Sequence, residues 1–178
     1  VVTVGDEIEH LRIVLRDRVA PLEVVLAFRA HRPEGVLAQW VEVTNLADAP
    51  IVLHDVASTS PAIPAGDAWL RHWGGGWAGE WSETAERLVH GTKVLRSAGG
   101  VRPSLYLPPV VVVEPEGRVT EDEGRAATCT LAWGGDTRIS AEVALHGQAR
   151  VIVGLETRGA ERTLAPGATF VSPEAIWS

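Results

Sequence analysis

Four of the seven tryptophans fall at every fourth position in one stretch, Trp69-Leu70-Arg71-His72-Trp73-Gly74-Gly75-Gly76-Trp77-Ala78-Gly79-Glu80-Trp81. A spacing of four shares a helix face, but three consecutive glycines disfavour a helix, since each costs about 1 kcal/mol relative to alanine. Four is also a multiple of two, so tryptophans on extended chain lie on one face of a sheet. We therefore predict two short strands joined by a glycine turn at residues 74–76.

The indoles of this stretch have two interpretations. They are core residues or cover another surface, or they form an aromatic face that meets a sugar or a partner domain. The polar neighbours His72 and Glu80 lie among them, and for His72 we favour a hydrogen-bonded strand histidine over a catalytic one. The residues predicted to contact a sugar or an interface are Trp69, His72, Trp73, Trp77, Glu80 and Trp81.

Outward from this stretch, strand-like segments recur at regular spacing. Residues 22–29, 36–44 and 51–57 follow one another through short turns, which is typical of an antiparallel meander. The last third repeats this logic at 127–133, 138–145 and 149–155, with glycine turns between the segments. The valine run 110–114 suits a buried strand, whereas we predict loops at 58–66, 83–88 and 97–109, and a short or bent strand at 88–95.

These segments predict an all-β fold, a large antiparallel β-sandwich of about a dozen strands with little helix. A chain of 178 residues forms one domain, which we assign to residues 1–178. The sequence contains no methionine, so we expect it to be a domain of a longer protein.

Charge and cysteine content narrow the classes of function. The net charge of −7 comes without a basic cluster, which disfavours nucleic-acid binding. No apolar run reaches membrane-spanning length, so we expect no membrane partner. Cys129 is the only cysteine and is predicted to be a small buried residue. With no visible signal peptide, we expect a cytoplasmic location.

The sequence does not present a self-contained active site. Its six histidines lack metal-ligand spacing, and no Gly-x-Ser-x-Gly motif or phosphate loop is present. Asp67 and Glu80 are the acids nearest the aromatic stretch, but we do not favour them as the carboxylate pair of a glycosidase. We therefore predict no catalytic residue, no cofactor and no metal in this chain.

The order of several landmarks is similar to the amino-terminal domain of α-galactosidases of glycoside hydrolase family 36. The resemblance begins in the meander, continues through Gly66-Asp67 and the aromatic stretch, and covers nearly the whole chain. Its remaining landmarks are Thr120-Glu121-Asp122-Glu123-Gly124, Leu131-Ala132-Trp133-Gly134-Gly135-Asp136 and Leu164-Ala165-Pro166-Gly167.

The resemblance implies a β-supersandwich that precedes a (β/α)₈ barrel carrying the catalytic aspartates. On this interpretation the chain is the non-catalytic N-terminal domain of a retaining α-galactosidase, inactive alone, and its partners are the barrel of the same parent chain, further copies in a homo-oligomer, and an α-galactoside. In tetrameric members, loops of this domain can reach a neighbouring subunit's sugar pocket. The alternative is a carbohydrate-binding sandwich module that uses an aromatic face.

Two regions depart from the family pattern. The family usually carries arginine where this sequence has Gly76 and Gly79, and its loop after the 93–94 segment usually contains a histidine and an Asn-Pro-Phe run, where this sequence has residues 104–109. These changes weaken the expectation of a sugar contact across subunits. They favour an apolar surface that docks against the barrel or another subunit.

Overall fold

The computed structural model describes residues 2–4, 7–64, 66–100, 106–159 and 161–178. In each of these ranges, alternating apolar residues and glycine-rich turns produce strands. Within these residues the strands are β1 (Val2–Val4), β2 (Ile8–Arg16), β3 (Leu22–His31), β4 (Val36–Asn45), β5 (Ile51–Leu53), β6 (Ala57–Thr59), β7 (Ala62–Pro64), β8 (Trp69–Gly74), β9 (Ser82–Arg87), β10 (Gly91–Ser97), β11 (Val110–Glu114), β12 (Ala127–Leu131), β13 (Thr137–Val143), β14 (Gln148–Leu155), β15 (Arg162–Leu164), β16 (Thr169–Val171) and β17 (Ala175–Trp177). The predicted all-β class is confirmed. Within the same ranges, no helix is long and apolar enough to span a membrane.

The strands form two facing antiparallel sheets and one small extra pair. The large sheet has the order β1-β2-β3-β4-β17-β12-β11-β8-β9, with β16 also paired to β4. The small sheet has the order β10-β13-β14-β6, with β7 paired to β14, and β15 pairs with β5. The predicted meander of residues 22–29, 36–44 and 51–57 holds only for its first two segments, because β3 and β4 are antiparallel neighbours whereas β5 pairs with β15 and β6 with β14. The strand on the other side of β3 is β2.

The hydrophobic core lies between the two sheets. The large sheet contributes alternate residues of its central strands, and the small sheet contributes Ile139, Val151 and Val153. The predicted buried strand at 110–114 is β11, whose Val111 and Val113 face this core. Cys129 is fully buried there, as predicted, and burial raises the pKa of its thiol to about 12.

The other end of the large sheet extends beyond this core. β2 supplies no residue to the core cluster of the described chain. Its Leu11, Ile13 and Leu15 are exposed on the sheet face that also carries the half-buried Leu26 and Phe28. We call these five residues the arm face. The same period-two alternation therefore leads to burial in one half of the sheet and exposure in the other.

Several local predictions were wrong. Residues 82–87 form β9 rather than a loop, because their backbone pairs with β8 along its whole length. The predicted loop at 58–66 contains β7 and most of β6, both paired with β14. The segment 88–95 contains a strand that starts only at Gly91, whose φ is +128°. Part of the predicted loop at 97–109, including Ser104 and Leu105 in the second departure from the family pattern, lies outside the described residues.

Candidate functional site

The aromatic stretch begins with a regular strand whose two faces differ in character. In β8, Leu70 and His72 face the core, whereas Trp69, Arg71 and Trp73 lie on the outer face of the large sheet. Trp69 and Trp73 are half-buried. The sheet-face prediction is therefore right for these two tryptophans.

The other two tryptophans lie in the turn between β8 and β9, which is longer than the predicted glycine triplet. Gly75 has a φ of +147°, and a β-carbon there would lie 2.0 Å from the Gly79 carbonyl oxygen, so only glycine fits. The Gly75 amide donates to the Tyr106 carbonyl oxygen (3.1 Å), and the Gly79 amide donates to that of Gly76 (3.0 Å). The turn is thus a folded loop hydrogen-bonded to Tyr106. Gly75 is needed there for its backbone conformation, and Gly79 donates a backbone hydrogen bond.

Trp77 and Trp81 leave this turn in different directions. Trp77 is 91% exposed, the most exposed aromatic side chain in the described chain. Trp81 has a φ of +61° and folds back, so its ring centroid lies 6.2 Å from that of Trp73. The prediction that all four indoles share one sheet face was wrong, because the turn conformation sets the direction of the last two.

Glu80 lies in the same turn and is exposed. It makes no hydrogen bond or ion pair to the part of the chain that the structure describes. The sequence interpretation placed Glu80 on a strand, opposite Trp77 and Trp81, but the turn leaves it at the tip of the hairpin. We call the hairpin tip, residues 75–81, the tryptophan hairpin.

The outer face beside the tryptophan hairpin is built around a buried carboxylate. Glu114, at the end of β11, is fully buried and forms ion pairs with Arg71 and with Arg118, whose Nε lies 3.1 Å from Glu114 Oε2. Arg118 also lies over the Trp69 ring, 5.6 Å from its centroid. The two guanidiniums offset part of the free-energy cost of burying the Glu114 carboxylate. These contacts connect β8, at the base of the hairpin, to Glu114 of β11 through Arg71 and Arg118.

His72 belongs to a different group, on the core side at the edge of the sandwich. Its Nε2 lies 3.0 Å from Glu86 Oε1 in β9, and Lys93 Nζ in β10 donates to the same oxygen at 2.6 Å. The hydrogen bond with His72, and next the bond from Lys93, hold the pKa of the Glu86 carboxyl below its usual value. Because β9 and β10 belong to different sheets, this triad connects the two sheets. The structure gives His72 a hydrogen-bonded strand position.

Apart from Glu80, the acids around the hairpin are paired with cations. Asp67 accepts from Arg87 at 2.7 Å, Glu114 is held by two arginines, and Glu83 lies 3.7 Å from Arg71. Among the described residues, no three histidine, cysteine or acidic side chains are grouped so as to hold a metal ion. The thiol of Cys129 is buried among apolar residues, where it is inert. The arrangement suits binding and docking better than proton transfer.

Sequence reasoning missed Arg71, Glu114, Arg118 and Tyr106. Glu114 had a usable signal, since it alternates with Val112 on the outer face of β11. Arg118 and Tyr106 had none, because they reach the hairpin from loops whose course depends on the whole fold. Of the predicted contact residues, the structure brings Trp73 and Trp81 together, keeps Trp69 on the same sheet face, and separates His72, Trp77 and Glu80 from them.

Residues 1–165 match the family described as "Glycosyl hydrolase family 36 N-terminal domain". The "Probable alpha-galactosidase G" of Aspergillus terreus is 25% identical over 170 residues, which are 96% of this chain and 23% of that protein. The chain therefore spans about a quarter of the length of the curated relatives it matches.

Solved structures also match nearly all of this chain to about a quarter of a larger protein. The "galactosidase domain of alpha-galactosidase-sucrose kinase, AgaSK" superposes with a TM-score of 0.90 at 29% identity, covering 97% of this chain and 24% of that one. The "GH36 alpha-galactosidase AgaA" of Geobacillus stearothermophilus also has a TM-score of 0.90, at 26% identity, covering 96% of this chain and 24% of its own. Variants of AgaA have been solved in complex with stachyose and with raffinose.

Proposed function

The chain belongs to the glycosyl hydrolase family 36 N-terminal domain family, and from this premise we propose that it is the non-catalytic N-terminal domain of an α-galactosidase. In this role it supports a catalytic barrel and contributes contacts to a homo-oligomer. The observation that carries the proposal is the coverage: the alignment with AgaA uses 96% of this chain but only 24% of that enzyme. Most of the enzyme, including the part that we expect to hold the catalytic acids, lies beyond the matched region.

The chemistry of the described residues supports a non-catalytic role. A glycosidase needs two carboxyl groups roughly 5–10 Å apart, one on each side of the scissile bond. Asp67 and Glu114 are instead neutralised by arginines, which hold them as structural anions. Glu80 is exposed at the tip of a turn, where nothing excludes water.

Two exposed surfaces support the docking role. The arm face presents Leu11, Ile13 and Leu15 to solvent beside Leu26 and Phe28. Contiguous apolar patches on a soluble domain are typical of interfaces. The tryptophan hairpin presents Trp77 on a loop whose backbone is hydrogen-bonded to Tyr106, and exposed tryptophans are common anchors of protein interfaces. We propose that the arm face packs on another part of the enzyme and that Trp77 contacts a neighbouring subunit.

The test compares this chain with a longer form of the protein that includes the following barrel. Both are incubated with an aryl α-galactoside, and release of the aryl group is followed. We expect turnover by the longer form and none by residues 1–178. Turnover by residues 1–178 alone would overturn the proposal.

A second measurement separates docking from a folding defect. Trp77→Ala in the longer form should leave the free energy of unfolding unchanged within about 0.5 kcal/mol, because the side chain is exposed. We expect it to weaken subunit association in analytical ultracentrifugation. The matched control is Val89→Ala, since Val89 is also exposed but does not lie on the hairpin. Equal association of both variants would contradict the role proposed for Trp77.

A saccharide contact by the tryptophan hairpin is the second candidate, favoured by the exposure of Trp77 and Trp81. It predicts that millimolar galactose or melibiose changes the tryptophan fluorescence of this chain and that Trp77→Ala removes the change. An unchanged spectrum would argue against it and leave the docking role.

A further inference from the structure

A second aromatic site lies on the turn between β12 and β13, away from the tryptophan hairpin in sequence. Trp133 is 42% exposed, yet its indole is closely packed on one side. A β-carbon at Gly135 would lie 2.7 Å from Trp133 Nε1 and 3.1 Å from Cε2, so the ring lies directly against the glycine backbone. The ring is therefore fixed in place while much of its surface faces solvent, which lowers the entropy cost of binding through it.

A guanidinium is held nearby without an acidic partner. Arg162 in β15 lies over the Phe170 ring, 5.1 Å from its centroid. Within the described ranges it makes no hydrogen bond or ion pair, although most arginines there, such as Arg71 and Arg138, are paired with carboxylates. A cation–π contact positions the guanidinium without using its N–H donors. The Arg162 guanidinium is thus held in position while its N–H groups can still donate hydrogen bonds to a ligand.

Trp133 and Arg162 line the same groove. Together with Leu155, Phe170 and Ser172 they enclose about 450 Å³. An adjoining space of about 170 Å³ shares Trp133, Leu155 and Arg162 and adds further polar groups. This size lies in the range of small-molecule sites. The groove has an apolar floor, since Leu155 and Phe170 belong to the core, and a polar rim.

The rim carries both donors and acceptors. Asp136, Glu156 and Thr157 line the smaller space together with Arg162, and Glu156 is already paired with Arg96. Asp136 Oδ1 accepts from the Gly100 amide at 2.7 Å, which fixes its carboxylate in position. A carboxylate beside a guanidinium disfavours a purely anionic ligand, and a fixed indole disfavours a purely polar one. A pyranose offers an apolar C–H face to an indole and hydroxyls that both donate and accept.

We propose that the groove between Trp133 and Arg162 is a saccharide-binding site of this domain, with Trp133 as the stacking platform and Arg162 and Asp136 as hydroxyl partners. That the saccharide is an α-galactoside rests on the proposed function. The site binds sugar without transforming it and lies on the sandwich itself. It differs from the tryptophan hairpin in both residues and position.

Titration of residues 1–178 with raffinose, followed by calorimetry and by the indole N–H signals in a ¹H–¹⁵N spectrum, tests the proposal. We expect a saturable shift of the Trp133 signal with a Kd on the order of millimolar. Arg162→Ala and Trp133→Ala should each weaken binding at least tenfold, and Arg162→Lys should restore part of the affinity by keeping the charge.

The matched control is Arg150→Ala, which removes an exposed arginine of β14 that has no ion pair in the described chain. It should leave the affinity unchanged. Arg162→Ala breaks no ion pair, so it carries the test even if Trp133→Ala disturbs the turn. Non-saturable binding, equal affinity of Arg162→Ala and the parent chain, or a shift of Trp77 in place of Trp133 would overturn the proposal.

The outcome is separable from that of the proposed function. If raffinose does not bind residues 1–178 but the longer form hydrolyses an aryl α-galactoside, the groove assignment fails and the proposed function stands. If raffinose binds through Arg162 but the longer form is inactive, the proposed function fails and the groove assignment stands.

Discussion

The two halves of the large sheet have the same alternating sequence pattern but different surroundings. In the central half, Leu70, Val111 and Leu131 face the small sheet and are buried. In the half that carries the arm face, which we call the arm, Leu11, Ile13 and Leu15 alternate in the same way, but no strand of the described chain covers them. Alternation thus determines which residues share a face, whereas burial depends on whether a second layer is present.

The largest expected effect comes from removing one leucine in each half. Leu70→Ala should lower the free energy of unfolding by about 3 kcal/mol, because Leu70 is 1% exposed and its removal leaves a cavity in the core. Leu15→Ala should cost less than about 1 kcal/mol, since Leu15 is 48% exposed. Urea unfolding measures both. Equal losses would mean that the arm is as well covered as the centre.

Removing an ion pair should also destabilise the protein more in the central half than in the arm. Glu114→Gln should destabilise by about 2 kcal/mol, because it leaves Arg71 and Arg118 without their buried anion. In the arm, Arg12 donates two hydrogen bonds to Glu42 and holds the pKa of that carboxyl below its usual value, but Arg12 is well exposed. Glu42→Gln should therefore cost about 0.5 kcal/mol. A larger loss for Glu42→Gln in urea unfolding would contradict this order.

A smaller effect is expected at the edge where the two sheets are connected by Glu86. Its folded-state pKa is lowered by His72 and Lys93, so its stabilising contribution is fully present above the unfolded value of about 4.3 and is lost as pH falls through the lower folded value. Glu86→Gln should cost less than about 1 kcal/mol at pH 7, given the partial exposure of the side chain. The difference from the parent chain should shrink as pH falls below the unfolded value.

Unfolding curves at pH 7 and pH 3 measure this dependence. The control is Glu34→Gln, in the exposed turn between β3 and β4, which should change stability at neither pH. A loss for Glu86→Gln that persists at pH 3 would indicate a packing role and not an ionic one.

Sequence reasoning predicted the fold class and the central strands because apolar alternation is strong there. It failed at β9, whose sequence Ser-Glu-Thr-Ala-Glu-Arg has little apolar signal. β9 forms a strand because its backbone pairs with β8 and its charges meet Arg71, Lys93 and Asp67. Such partners come from distant segments, so local composition cannot identify them.

The candidate site was predictable only in part, for a related reason. The spacing of Trp69 and Trp73 placed both on one sheet face, but Trp77 and Trp81 follow the positive φ angles of Ala78 and Trp81, which are uncommon outside glycine. Trp133 and Arg162 are 29 positions apart and meet only because β12, β15 and β16 converge at one end of the sandwich. Nothing in the spacing of the sequence indicates that convergence.

The sharpest test of the arm face is its conversion to a polar surface. The triple replacement Leu11→Thr, Ile13→Thr and Leu15→Thr keeps strand-forming residues at exposed positions, so the free energy of unfolding should change by less than about 1 kcal/mol. It should nevertheless abolish binding of a hydrophobic dye, because it removes the contiguous apolar patch.

The matched control replaces Val52, Val89 and Val171 with threonine, three exposed valines on separate elements. It removes exposed apolar side chains without touching the arm and should leave dye binding intact. If both triple variants lose dye binding equally, exposed apolar residues act singly and the arm is not a docking face. If only the arm variant loses dye binding, the arm face acts as one contiguous apolar surface. Because the small sheet does not cover it, such a surface is available to dock a partner.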